Sequence, residues 1–218
     1  MMEIATANTG GGFKLAPAGS HRAVCYRFID LGTQETEFQG ETKHQHKIML
    51  SFELVDEIDE FEYDGKTIQA PFSIHRTFTW SMSEKGHLRP FLEQWRGRGF
   101  TDADFKPGGF DTQKLIGVPL LLNVTHNERN GKTYANASAA SPLPKAMQGD
   151  IPRLHNETIY LALQKDRWDA TAFDKLSDNV KAKIEASPEF RRLHGMDDDP
   201  SKPVEDFTSE NLDDDIPF

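Results

Sequence analysis

The sequence predicts a mainly β protein of the α+β class, with five strands in one barrel and one helix between the third and fourth strands. Three observations lead to this prediction. Stretches that alternate apolar and polar residues, the period of a half-buried strand, recur through residues 20–142. Within that range one segment has apolar residues at helical spacing, and a two-residue turn signal, Asn130-Gly131, separates the last two strands.

Three predicted strands come first. The stretch 20–32 is rich in β-forming residues and ends at Gly32, which favours a strand. The stretches 44–55 and 69–82 alternate apolar and polar side chains, so each predicts a strand with one buried face. Between them, residues 56–64 are acidic and lead into an Asp-Gly turn signal, which favours a solvated hairpin tip. The large aromatic residues expected in the core are Phe52, Phe72, Phe91 and Trp95.

A helix and a hairpin complete the predicted barrel. Residues 83–99 carry apolar side chains three and four positions apart, which predicts one amphipathic helix. Residues 117–142 alternate on both sides of Asn130-Gly131, which predicts a β-hairpin. Five strands with a helix between the third and fourth is the order of the oligonucleotide-binding (OB) barrel, so we expect that fold. The predicted inward-facing row of the hairpin is Val118, Leu120, Leu122 and Val124.

Composition and motifs argue against several classes of protein. No apolar run approaches the roughly 20 residues that span a bilayer, and the first residues lack the pattern of a signal peptide. We therefore expect a cytoplasmic protein without a membrane partner. Cys25 is the only cysteine, which argues against a disulfide framework or a thiolate zinc site. His44 and His46 lack further ligands at metal spacing, and no catalytic motif occurs. We expect no metal, no cofactor and no enzymatic activity.

Charge is distributed unevenly along the chain. Residues 195–218 hold nine acidic residues and one lysine, so this tail carries -8 of the formal net charge of -10. Six more acids lie in 56–64, and without them residues 1–194 carry a net charge of +4. A mildly basic body with an acidic tail is therefore expected, and such asymmetry bears on partners more than the total charge does.

Cations and aromatic residues are interleaved on the predicted strands. Single-strand binding requires cations that replace counterions on phosphates and aromatic faces on which bases stack. The pattern therefore predicts binding of single-stranded DNA without sequence preference, although about half of the aromatic residues on any barrel strand point into the core. The candidate contacts are Tyr26, Arg27, Phe28, Lys43, Lys47, Arg76, Trp80, Arg129, Lys132 and Tyr134.

The last six residues of the sequence, DDDIPF, carry a resemblance to a known family. They resemble the C-terminal tip of bacterial single-stranded DNA-binding proteins (SSB), which join an OB-fold to a disordered linker and an acidic tip. The rest of the chain differs from the usual bacterial core and is more similar to a phage-encoded SSB. The resemblance implies that Phe218 binds a pocket on replication or repair proteins, that Ile216 and Pro217 add apolar contact, and that the acids meet a basic rim. The implied partner-binding residues are Asp213, Asp214, Asp215, Ile216, Pro217 and Phe218.

These observations predict a non-enzymatic protein that coats single-stranded DNA during replication, recombination or repair, encoded by a phage and acting in the bacterial cytoplasm. Two alternatives stay open: an interaction protein that mimics the SSB tip without binding DNA, and a metal-dependent DNA-processing enzyme built on the carboxylates of 56–64. The oligomeric state also stays open, with a homo-oligomer as one option. The predicted segments are 1–19 (flexible N-terminus), 20–142 (OB-fold domain), 143–194 (partly helical extension) and 195–218 (disordered acidic tail with the partner-binding tip).

Overall fold

A computed structural model describes residues 14–38, 41–63 and 65–196 of the chain. The fold is mainly β, with a curled antiparallel half-barrel of five strands and few helices, so the predicted class is confirmed at that level. The predicted partner-binding residues, 213–218, lie outside the described residues. The strands are β1 (Gly19–Phe38), β2 (Glu41–Tyr63), β3 (Lys66–Thr79), β4 (Pro119–Arg129), β5 (Lys132–Ser141) and β6 (Ile159–Leu161).

β1 is an inner strand of the sheet and is buried over much of its length. The strands follow the order β3-β2-β1-β4-β5, and β6 also pairs with β1. β4 pairs antiparallel with the start of β1, from Gly19 opposite Val124 to Val24 opposite Pro119. β1 therefore has β2, β4 and β6 as neighbours, and every residue from position 23 to position 33 is buried.

Two strands are longer than predicted. β1 continues through residues 33–38, and β2 continues through the acidic residues 56–63. Residues 56–63 therefore belong to β2, which pairs with β3 in a hairpin. The prediction that 56–64 form a solvated hairpin tip is wrong, because most of this stretch is strand. Gly65, which has φ of +70°, provides the turn into β3.

Among the residues that the structure describes, one α-helix lies between β3 and β4 in chain order, and three short α-helices follow β6. The first is shorter than the predicted 83–99, and Pro90 lies in its first turn, where a missing backbone N–H leaves no helical hydrogen bond unmade. No helix in the described part of the chain is long and apolar enough to cross a membrane. The helices are α1 (Leu88–Arg96), α2 (Ala170–Asp174), α3 (Asp178–Glu185) and α4 (Pro188–Leu193).

The described residues divide into two compact units, each with its own core. In the first, the Phe52 ring lies 6.0 Å from that of Phe91 and 5.8 Å from that of Trp95. These rings and Phe72 are buried, as predicted. In the second, Ile48 and Phe78 are buried, as are Ile184 and Phe190 of the C-terminal helices. The described residues of the first unit fall within Met1–Phe28, Leu50–Arg76 and Phe91–Tyr160, and those of the second within Ile29–Met49, Thr77–Pro90 and Leu161–Phe218.

The β4–β5 hairpin forms as the sequence predicts. Arg129 pairs with Lys132, and the two turn residues between them, Asn130 and Gly131, have φ of 53° and 70°. Positive φ at both central residues is the mark of a type I′ turn, which favours the Asn-Gly pair. Val118 is exposed, against prediction, because β4 begins only at the next residue. The remaining predicted inward residues, Leu120, Leu122 and Val124, are buried.

Cys25 lies in the interior of β1. Its side chain is fully buried, and its Sγ lies 3.6 Å from the backbone oxygen of Arg27. Burial raises the pKa of the Cys25 thiol far above its ordinary value, and the hydrogen bond to Arg27 offsets only part of that rise. The thiolate that reacts with other groups is therefore strongly disfavoured in the folded protein.

Candidate nucleic-acid interface

Trp80, the first residue after β3, presents an aromatic side chain to solvent. Its backbone N–H donates to the His46 oxygen at 2.6 Å, which fixes the residue beside β2. The side chain is 42% exposed, and its ring centre lies 6.4 Å from that of His46. A large ring left this exposed at a fixed position can stack with a planar ligand. Trp80 therefore has the accessibility that its predicted contact with a base requires.

A polar cluster holds the histidine beside Trp80. His46 Nε2 lies 2.6 Å from Asp30 Oδ1, and His46 Nδ1 lies 3.7 Å from Glu189 Oε1 of α4. Burial lowers the pKa of His46, but the hydrogen bond and charge of Asp30, with the charge of Glu189, outweigh burial and the opposing charge of Arg192. The pKa of His46 is thus raised, which favours the protonated ring between two carboxylates.

The same cluster joins the C-terminal helices to β1 within the second unit. Asp30 also accepts from the backbone N–H of Gly32 at 2.9 Å and of Leu163 at 3.2 Å. Glu189 accepts from the N–H and the hydroxyl of Thr33, at 2.8 and 2.7 Å. Gly32 has φ of +68°, and a side chain there would collide with Ser187. Close approach of the chain at this point therefore requires glycine.

Lys47 lies next to His46 on β2 but faces away from it. Its Nζ donates to Thr79 Oγ1 at 2.7 Å and to Gln45 Oε1 at 2.5 Å. Because side chains alternate along a strand, Lys43 and Lys47 share one face of β2, whereas His46 and Trp80 lie on the other. The structure therefore does not bring the predicted lysines and Trp80 onto one surface of this strand pair.

Arg76 of β3 is used within the fold. Its Nη1 donates to the backbone oxygens of Ala137 and Ser138 on β5, at 2.8 and 2.9 Å. Its guanidinium carbon lies 5.3 Å from the centre of the Phe91 ring, a cation–π contact. Burial lowers the pKa of Arg76 from its ordinary value. Arg76 braces β3 against β5, so its guanidinium has less capacity for a phosphate than the sequence suggested.

The hairpin turn carries the most accessible predicted cations. Arg129 and Lys132 are both exposed, and they pair across the Asn-Gly turn. Tyr134 is half-buried and lies opposite Asn127 on β4. These two cations at the adjoining ends of β4 and β5 lie outside the core, so their charge is available to a ligand.

The three predicted contacts on β1 are buried and need correction. Tyr26, Arg27 and Phe28 are each at most 2% exposed. Phe28 stacks on Tyr160 with ring centres 5.0 Å apart, and the guanidinium carbon of Arg27 lies 5.1 Å from the centre of the Tyr26 ring. Side chains alternate between the two faces of a strand, so both faces of β1 are covered at these positions. We therefore withdraw all three from the proposed surface.

The acidic end of β2 is paired with cations in the first unit. Arg22 donates two hydrogen bonds of 2.6 Å to Asp56, and this contact holds the pKa of Asp56 below its ordinary value. Two further acids of this stretch have partners: His21 Nδ1 lies 2.8 Å from Glu57 Oε1, and Lys14 Nζ lies 2.5 Å from Asp59 Oδ1. In the described ranges no group of three or more His, Cys, Asp or Glu residues could hold a metal ion.

Sequence reasoning missed the partners of these groups because they are distant in the chain. Asp30 and His46 are 16 positions apart, and Arg22 and Asp56 are 34 apart. Glu53 is a third case, since its buried carboxyl group accepts from the backbone N–H groups of His155 and Asn156, both at 2.9 Å. In each case the sequence has a charged residue inside a β-forming stretch. This indicates that the residue is paired, because charged residues are rarely buried alone, but it does not identify the partner.

Comparison with known proteins returns no matching family model and no matching curated protein. The class that the fold and these residues define is therefore a mainly β protein whose curled antiparallel sheet presents an exposed tryptophan and an exposed pair of cations at a hairpin turn.

Proposed function

We propose that the protein is a non-enzymatic single-stranded DNA-binding protein that acts in replication, recombination or repair. The observation that carries this proposal is the exposed indole of Trp80, fixed at the end of β3 in a curled antiparallel sheet. A fixed aromatic face can stack on a base of any sequence, because every base has a π-face. We further propose that the half-barrel is an OB barrel, with α1 as its helix between the third and fourth strands.

The contacts divide into stacking and phosphate binding. Trp80 provides a stacking surface, which contributes about 1–3 kcal/mol per base in proteins of this class. Arg129 and Lys132 provide exposed charge for phosphates. Lys43 and Lys47 add charge on the face of β2 opposite His46 and Trp80. Phosphate contacts release counterions, so binding weakens as salt rises. The combination supports sequence-tolerant coating of DNA.

The charge of the body supports the same proposal. Asp56 and Asp59 form ion pairs with Arg22 and Lys14, so their negative charge is locally offset. Residues 195–218 carry -8 of the formal net charge of -10. A chain with net charge -10 can therefore still present a positive hairpin turn to DNA.

We also propose that residues 213–218 bind replication or repair proteins in the bacterial cytoplasm, with a phage as the source of the protein. The sequence DDDIPF provides an aromatic anchor in Phe218 and a run of acids that speeds encounter with a basic surface. The support for this part is the resemblance of the six residues to the SSB tip.

The DNA proposal is tested by titrating the full chain with labelled oligo(dT) and with duplex DNA at two salt concentrations. We expect preference for the single strand and weaker binding at higher salt. Trp80→Ala should weaken oligo(dT) binding by about 1–3 kcal/mol, and Ile58→Ala, at another exposed apolar residue, should leave it unchanged. A wild-type protein that does not bind oligo(dT) would contradict the proposal and favour the tip-mimicking alternative.

The partner proposal is tested with a labelled peptide of residues 207–218. We expect the peptide to bind a bacterial repair protein that recognises the SSB tip, and to compete with a peptide of that tip. A matched peptide with Phe218→Ala should lose most of this binding. In the full chain, Phe218→Ala should leave oligo(dT) affinity unchanged or higher. Equal binding of the two peptides would contradict this part alone.

A further inference from the structure

A second exposed aromatic residue lies in the first unit. Among the large apolar side chains that the described residues expose, two are aromatic: Trp80 and Phe105. Phe105 is 49% exposed and ends a short 3₁₀ turn, Asp102–Phe105, in the segment between α1 and β4. The residue lies outside the predicted strands and the predicted helix.

The Phe105 ring packs on a second aromatic ring that is itself held in place. It stacks on Phe100 with ring centres 5.6 Å apart and an interplanar angle of 26°. Phe100 is buried and meets the edge of Phe110 at 5.0 Å. The guanidinium carbon of Arg96 lies 4.1 Å from the centre of the Phe100 ring. The supporting ring is thus held by contacts with Phe110 and Arg96, and Phe105 packs on a fixed surface.

Hydrogen bonds fix the backbone that carries this ring. Asp104 accepts from the backbone N–H of Thr101 at 2.9 Å and from Arg96 Nη2 at 2.7 Å. These bonds, that of Thr101 first, hold the pKa of Asp104 well below its ordinary value. The N–H of Phe110 donates to the backbone oxygen of Asp104 at 2.8 Å. An aromatic side chain held in a preorganised turn loses little conformational entropy when a ligand stacks on it.

Cations lie on both sides of Phe105 in the sequence and are exposed. Lys106 follows it directly, and Arg98 Nη2 lies 3.5 Å from Asp104 Oδ1. Residues 96–106 hold three cations and two carboxylates, and the Asp104 carboxylate is engaged by Arg96. The remaining positive charge is complementary to a phosphate backbone, and a flat exposed ring is complementary to a base.

We propose that Phe105 is a stacking platform for an unpaired base of single-stranded nucleic acid, with Arg98 and Lys106 contacting the adjacent phosphates. This inference rests on the proposed function and adds a site in the segment between α1 and β4. The site recognises the π-face and the phosphate, so it takes any base.

The test compares Phe105→Leu and Phe105→Ala with the full wild-type chain in oligo(dT) titrations. Leucine retains apolar packing on Phe100 but removes the flat face, so both variants should bind at least about fivefold more weakly, the lower end of one lost stacking contact. Met147→Ala, at an exposed apolar residue without an aromatic ring, is the matched control and should bind as the wild type does. Thermal unfolding of each variant reports whether the fold is retained.

A second measurement uses the wild-type protein, so it does not depend on a variant that folds. Oligo(dT) carrying 5-iodouracil is crosslinked by light, and the modified residue is located by mass spectrometry. A crosslink at Phe105 with weakened Phe105→Leu binding supports the site. Wild-type affinity of Phe105→Leu without a crosslink at Phe105, while Trp80→Ala binds weakly, overturns this inference alone. Absence of oligo(dT) binding by the wild type overturns the proposed function and the site together.

Discussion

Two stretches with similar residue types lie in different environments: 26–28 on β1, and 75–80, which covers the end of β3 and the residue after it. Each places an arginine near aromatic residues, and each was predicted to contact DNA for that reason. On β1 the whole group is buried, whereas Trp80 at the end of β3 is exposed. The contrast is one of covering: both faces of β1 are buried at these positions, whereas Trp80 follows the last residue of β3 and is exposed. Residue type indicates what a side chain can do, and position in the sheet decides whether it is accessible.

The largest expected effect tests the buried side of this comparison. Phe28→Ala should lower the free energy of unfolding by about 3–5 kcal/mol, because it removes a packed ring and leaves a cavity beside Tyr160. Trp80→Ala should change it by less than about 1 kcal/mol, since an exposed ring leaves no cavity. Denaturant unfolding of both variants measures the two values. Similar losses in stability would mean that Trp80 is part of the core, and the comparison would fail.

A second prediction concerns the buried carboxyl group of β2. Glu53→Ala leaves the N–H groups of His155 and Asn156 without their acceptor, at a cost of about 1–3 kcal/mol for each buried donor. Glu53→Gln keeps one acceptor oxygen and should destabilise less. Unfolding by denaturant ranks the three proteins. A variant pair with equal stability would show that acceptor geometry has no role here.

A smaller effect is expected at the exposed hairpin turn. Replacement of Arg129 or Lys132 by alanine should weaken oligo(dT) binding on every sequence and lower the slope of log affinity against log salt by about 0.7 per lost phosphate contact. Lys165→Ala, at an exposed lysine in the second unit, is the control. Stability should not change in any of these variants. An unchanged salt slope for both hairpin variants would remove the turn from the interface.

The smallest effect is the pH dependence at His46. Because its pKa is raised in the folded state, the stabilisation it contributes is fully present below the unfolded value of about 6.5 and is lost as pH rises through the raised pKa. The groups that face it are Asp30, Glu189 and Arg192. His46→Gln should therefore flatten the fall in unfolding free energy over this window. Parallel curves for the wild type and the variant would exclude this role for His46.

The features that the sequence could predict are those whose contacts join residues close together in the chain. The turn at Asn130-Gly131 and the buried row of β4 depend on neighbours in the chain, and both were predicted correctly. Burial of Tyr26, Arg27 and Phe28 depends on the residues that cover both faces of β1. The ring of Phe28, for example, lies against that of Tyr160, more than 130 positions away. Alternation gives the faces of a strand but not the strands that flank it. The candidate contacts on β1 were therefore wrong for a reason that local patterns do not contain.

The buried side chain of Cys25 can be used to measure local opening of β1. It is the only cysteine in the sequence, and it is buried with a raised pKa. A thiol reagent can modify Cys25 only when local opening exposes its side chain. The rate of alkylation therefore measures how often β1 opens in the native protein. The chain thus carries a single, built-in chemical reporter on its most enclosed strand, and no label needs to be introduced to follow that motion.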